Sequence, residues 1–95
     1  MKLFDNTSRD FLGFMDMNET DYNYYNRSAR KNIAIIRDTL ENWFSEVSDS
    51  EKYSMKSRFK KSFDETFYEL FLHNLFKKLG YKVKIHPNFA STIIK

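Results

Sequence analysis

Apolar residues from Ser28 onward recur at steps of three and four: Ala29, Ile33, Ile36, Leu40, Trp43, Phe44 and Val47. That spacing is one face of an α-helix, with Ser28 placed to cap it and Arg30, Lys31, Arg37, Asp38 and Glu41 mainly elsewhere on the circumference. Ser48-Asp49-Ser50 ends this helix and can cap a second, shorter one whose apolar positions are Met55 and Phe59. A third helix is predicted from about Phe63 to Leu79, with Ser62 as cap and Glu65 three residues later. Phe63, Phe67, Leu70, Phe71, Asn74, Leu75 and Leu79 form its predicted inner side, leaving Glu65, Glu69, His73 and Lys77 as a solvated ladder. Gly80 supplies the left-handed residue that stops the helix. Tyr81, Val83 and Ile85 then alternate with Lys82, Lys84 and His86, which predicts a strand over Tyr81–His86. Pro87-Asn88 turns the chain, and Ser91–Ile94 can return as a short partner.

The first 25 residues sustain no period. A short helix around Asp10–Met15, capped by Ser8, and an extended or turning Tyr22-Asn23-Tyr24-Tyr25-Asn26 are the local expectations, with the tyrosines folded over the first long helix. The fold class expected is mainly α: a small three- to four-helix domain with a short C-terminal strand or hairpin. Its single domain over 1–95 divides into an acidic arm (1–25), a helical core (26–80) and a strand and turn (81–95). Trp43, Phe44, Ile36, Phe67, Leu70, Phe71 and Leu75 are expected to share one core.

Composition sharpens this picture in three ways. Ten Phe, six Tyr and one Trp in 95 residues give a short chain large rings with which to build a core. The absence of cysteine removes disulfides and Cys-based zinc sites. The start lacks the apolar run of a signal peptide and no segment approaches the ~20 apolar residues of a membrane span, so a soluble cytoplasmic protein is expected. Charge is divided: residues 1–25 carry a net −3 and residues 26–95 a net +6. The basic residues crowd at Lys52, Lys56, Arg58, Lys60 and Lys61, and with Lys82 and Lys84 these are the candidate contacts to nucleic acid or to an acidic partner. An ordinary solvated helix face is the competing reading. The edge of the strand at 81–86 is a further candidate contact, for a homodimer or a target.

The ordered segments Asn26-Arg27-Ser28-Ala29-Arg30, Arg37-Asp38-Thr39-Leu40-Glu41-Asn42-Trp43-Phe44, Glu69-Leu70-Phe71-Leu72-His73, Leu79-Gly80-Tyr81-Lys82-Val83 and His86-Pro87 are similar to the amino-terminal part of uncharacterised bacterial proteins of the restriction-endonuclease-like, PD-(D/E)XK kind. The resemblance covers about residues 24–90. It implies that Glu69, on the first helix of that fold, can support a divalent metal, with the essential acid following in a Pro-Asp pair and a Glu-x-Lys on the next strand. Neither appears before Lys95. Glu69, His73 and His86 could together hold a transition metal, but a solvated polar stripe is the simpler reading. No Gly-rich phosphate loop or nucleophile context is present, since Gly13 and Gly80 are the only glycines. The expectation is therefore a non-enzymatic binding protein with no catalytic residue, metal or cofactor. Its expected partner is a protein or ribonucleoprotein, as for a mobile-element inhibitor of the anti-CRISPR type. The alternatives are a nucleic-acid-binding module and the amino-terminal fragment of a longer nuclease.

Overall fold

The computed structural model describes residues 1–84 and 92–94, with backbone alone at Lys82–Lys84 and Thr92–Ile94. The described chain is mainly helical: α1 (Asp21–Arg27), α2 (Lys31–Ser45), α3 (Asp49–Lys61) and α4 (Phe63–Lys78). After α4, the backbone of β1 (Lys82–Lys84) lies antiparallel to β2 (Thr92–Ile94), with Val83 opposite Ile93. Ile85, His86, the Pro87-Asn88 turn and Ser91 lie outside the described residues. Among the described residues, no helix is long and apolar enough to cross a membrane.

Helix ends follow local chemistry. Thr20 caps α1 by accepting the Asn23 amide at 3.2 Å. Asp49 and Glu51 open α3, and Arg58, Lys60 and Lys61 close it, so both ends complement the helix dipole. Ser48 and Ser62 occupy the cap positions of α3 and α4 but make no side-chain cap bond. Ser28 lies outside α2 altogether; it is fully buried and its Oγ accepts the Arg30 amide at 3.2 Å. At the end of α4, Gly80 takes φ +89°. The Gly80 amide bonds Lys77 O and the Tyr81 amide bonds Phe76 O, both at 3.1 Å, while the rings of Phe76 and Tyr81 meet edge to face.

The expected helix at Asp10–Met15 is absent, and the tyrosine segment expected to be extended or turning lies within α1. The cap at Thr20 starts the helix there, and burial of Tyr22 and Tyr24 holds it. Upstream, Gly13 lets the chain fold tightly over the Phe11 ring, where a Cβ would stand 2.6 Å from Phe11 Cζ.

The core gathers Leu3, Phe4 and Tyr22 with Leu40, Phe44, Val47, Met55, Phe59, Phe63 and Leu70. Of the seven expected core residues, Phe44 and Leu70 are buried, Ile36, Trp43 and Phe67 pack at its margin, and Phe71 and Leu75 are exposed. The reason lies in α4, which carries apolar side chains nearly all round and cannot bury every one. The face turned to α2 and α3 holds Phe63, Thr66, Glu69, Leu70, His73 and Asn74. The predicted inner and polar sides are thus rotated. Phe71 is 39 % exposed, so its truncation costs less than that of a core phenylalanine.

Two charged residues on α2 join the arm to the body. Glu41 accepts the Leu3 amide (2.8 Å) on one carboxylate oxygen and the Phe4 amide (2.9 Å) on the other. The Tyr22 hydroxyl donates to Leu3 O at 2.8 Å, its ring stacked on Phe4. Arg37, expected on the outer circumference, is buried and donates to Tyr25 O and Ser28 O, each at 2.8 Å. It thereby satisfies carbonyls at the end of α1 that the helix itself leaves open.

Candidate functional site: a basic helix, a buried carboxylate and two exposed apolar patches

The five basic residues of α3 do not present one surface. Lys52, Lys56 and Lys60 follow each other at i, i+4 along the side that meets the amino-terminal arm. Lys52 pairs with Asp49 at 3.4 Å and lies over the Phe44 ring, 5.7 Å from its centroid. Lys56 is taken up by Asp5 and by Lys2 O, both at 3.0 Å, and its hydrogen bond holds the Asp5 carboxyl below its ordinary range. Lys60 is exposed, with its ammonium 5.6 Å from the Tyr22 ring. Arg58 turns the other way, toward α4, and Lys61 is exposed at the helix end. The acidic arm therefore lies on part of the basic helix. The side chains of Lys82 and Lys84 lie outside the described residues.

Arg58 meets Glu69, whose Oε2 accepts from its guanidinium. Glu69 and His73 are each only 4 % exposed, which corrects the solvated ladder expected from their spacing; Glu65 and Lys77 remain outside. Burial pushes the Glu69 carboxyl up, opposed by Arg58, while nearby Glu51 pushes it up further. Burial pushes His73 below its ordinary value and Lys77 adds to that, opposed by Glu51 and Glu46. Glu69 Oε1 and His73 Nδ1 are buried without a hydrogen-bond partner. Among the described residues no three metal-ligating side chains converge, and His86, the third ligand considered from sequence, lies outside them.

Two exposed apolar patches were not foreseen. The first is the loop before α1, where Leu12 is 67 %, Phe14 75 % and Met17 97 % exposed. The loop is nonetheless anchored. The Ala29 amide donates to Phe11 O at 2.7 Å, Arg30 donates to Leu12 O and lies over the Phe14 ring, and Arg27 lies over Phe11. Arg27 also donates to Glu19 at 2.8 Å, and that hydrogen bond draws the Glu19 carboxyl down to about 2. The second patch is the outer side of α4, where Tyr68, Phe71, Leu75 and Leu79 are exposed. In sequence, the signal for the first patch was the run Leu12–Met17, which is apolar without a helical period. The signal for the second was an α4 with more apolar residues than one face can hold. No family model, curated protein or solved structure matches this chain.

Proposed function

We propose that this chain is a non-catalytic binding protein that acts by occupying a site on another macromolecule. The observation that carries this reading is the state of Glu69. It is the one acid that the restriction-endonuclease resemblance would assign to metal chemistry, and it is buried against the Arg58 guanidinium. A divalent cation in a hydrolytic site needs several converging oxygen ligands and room for water and substrate. A carboxylate closed off from solvent and already neutralised by a fixed cation offers neither. On this reading the helices and the Lys82–Lys84 hairpin descend from the opening unit of a nuclease-like fold whose polar positions now serve packing. A small, charge-polarised domain with exposed apolar patches suits an inhibitor of a nucleic-acid-handling complex, as anti-CRISPR proteins are.

The test is a cleavage assay of the purified protein on DNA and RNA with Mg²⁺ or Mn²⁺. No cutting is expected, from the native chain or from Glu69→Gln. Metal-dependent cutting that Glu69→Gln abolishes would overturn the proposal. Nucleic-acid binding is the other outcome to score, because Lys60 and Lys61 are exposed. Affinity falling by orders of magnitude between about 50 and 200 mM salt, and lost on Lys60→Glu with Lys61→Glu, would favour a phosphate-binding module instead.

A further inference from the structure

Near their carboxy-terminal ends, α2 and α4 leave a pocket of about 210 Å³ lined by Asn42, Glu46, Asn74, Lys77 and Lys78. The lining repeats one pattern from each side. Asn42 and Glu46 stand four apart on α2, and Asn74 and Lys78 stand four apart on α4, so each helix offers a carboxamide and then, one turn on, a charge. The two charges have opposite sign. Lys77 ties the helices together at the edge of the pocket, its Nζ donating to Glu46 O at 2.9 Å and pairing with Glu46 Oε2 at 3.3 Å.

Asn74 is the informative member. It is 8 % exposed, yet its carboxamide has no hydrogen-bond partner among the described residues. A carboxamide donates two bonds and accepts two, and a buried one left without them costs free energy unless the contents of the pocket supply the partners. The Asn42 carboxamide and the Lys78 ammonium, both at the exposed rim, also lack a partner among the described residues. Size and charge then narrow the occupant. The space is smaller than the roughly 300–1,000 Å³ of pockets for drug-sized ligands, which suits a molecule of only about ten heavy atoms. Lys77 and Lys78 against Glu46 leave one net positive charge, and the negative ends of two helix dipoles offset it. A lone anion or a lone cation meets the wrong sign somewhere on that rim; a zwitterion meets Lys78 with one end and Glu46 with the other. For Asn74, the matching group is one that also both donates and accepts.

We propose that this pocket binds a free α-amino acid with a carboxamide side chain, the side chain on Asn74 and Asn42 and the carboxylate and ammonium groups at Lys78 and Glu46. The exposed rim charges orient the ligand more than they hold it, because ion pairs open to solvent contribute little. The buried Asn74 carboxamide carries the selectivity, since a ligand without a donor and an acceptor leaves it unpaired.

The test is an NMR titration of the full nitrogen-labelled chain, in which the side-chain NH₂ signals of Asn42 and Asn74 report directly on the pocket. The probes are L-glutamine and L-asparagine into the millimolar range, with acetate, ethylammonium and acetamide as the separate parts of the same ligand. At least one of the two amino acids is expected to shift both signals saturably, and none of the three parts to saturate over that range. Asn74→Leu keeps the volume and removes the donors and acceptors, so it is expected to weaken binding about tenfold or more. Lys78→Ala, at the exposed rim, is expected to weaken it about two- to fivefold. A thermal melt checks that each variant is folded; should Asn74→Leu fail, Asn42→Leu at the rim replaces it, with a weakening of about fivefold expected. No saturable shift with either amino acid, saturation by acetate or ethylammonium alone, or binding unchanged in the folded carboxamide variant would each overturn the proposal.

Discussion

Residues 3–4 and 12–17 are two apolar segments of the same acidic arm, and the fold treats them in opposite ways. Leu3 and Phe4 are buried in the core, whereas Leu12, Phe14 and Met17 stand in solvent. Hydrophobicity does not separate them, since both segments are rich in Leu, Phe or Met. What differs is the fate of the backbone between the side chains. The amides of Leu3 and Phe4 are both received by Glu41, and Leu3 O is received by Tyr22, so the segment can enter the core with its polar groups satisfied. The loop is held from beneath by Arg27 and Arg30, which grip the Phe11 and Phe14 rings on faces that leave the outer edges exposed. A body that offers a carboxylate takes a segment in; one that offers guanidinium groups props it up.

Four measurements can break or sharpen this contrast. Phe4→Ala should be the most costly, at about 3–5 kcal/mol by chemical denaturation, because a fully packed ring leaves a cavity; a loss below ~1 kcal/mol would detach the arm from the core. Glu41→Ala should cost about 2 kcal/mol by stranding two amides at the core margin, and Glu41→Gln, which keeps one acceptor, should cost less. A third measurement follows acid. The Glu19 carboxyl is lowered to about 2, chiefly by its hydrogen bond with Arg27. A depressed carboxyl contributes stability in full above the ordinary value near 4.5 and loses it as pH falls toward about 2. Protection against hydrogen exchange in residues 11–19, taken relative to the intrinsic rate at each pH, should therefore fall over that window, while Leu3 and Phe4 amides stay protected until the whole domain opens; Glu19→Gln should remove that loss of protection in the loop. Smallest of all, Met17→Ser should move stability by no more than about 0.5 kcal/mol, and a larger loss would mean that the loop is packed in solution.

How much of this was legible in the sequence depends on which force decided each element. The limits of α3 and α4 follow from apolar spacing, terminal charges and Gly80, all of which are local, whereas α2 has no acid in its first turn or base in its last and begins at Lys31, past the expected cap Ser28. The site was harder to read, because charged side chains were assigned to solvent by type. Arg37 is the clearest case: Ile33, Leu40 and Phe44 stand four, three and seven residues from it on the buried face of α2, so its position alone marked it as internal. Glu69 and His73 gave less warning, since their burial depends on which side of an almost uniformly apolar α4 meets α3. That choice is made by Arg58, Met55 and Phe59, which a period computed along α4 cannot register. The segment at 22–26 became helical because tyrosines with no strong helical preference gained a core to enter, and tertiary packing overrode propensity there.

The Glu41 clamp also has a consequence for synthesis on the ribosome. Leu3 and Phe4 are made first, but the residues that bury them are Glu41 on α2, Tyr22 on α1 and the core around Met55 and Phe59 on α3. At translation speeds of about 5–20 residues per second, roughly 3–10 s separate the appearance of Phe4 from that of Phe59. Through that interval Leu3 and Phe4 lack the core that buries them, and the residues beside them are polar or charged: Lys2, Asp5, Asn6, Thr7, Ser8 and Arg9. Asp5 likewise meets Lys56 only once α3 has emerged, so the arm is the first segment made and among the last to be secured.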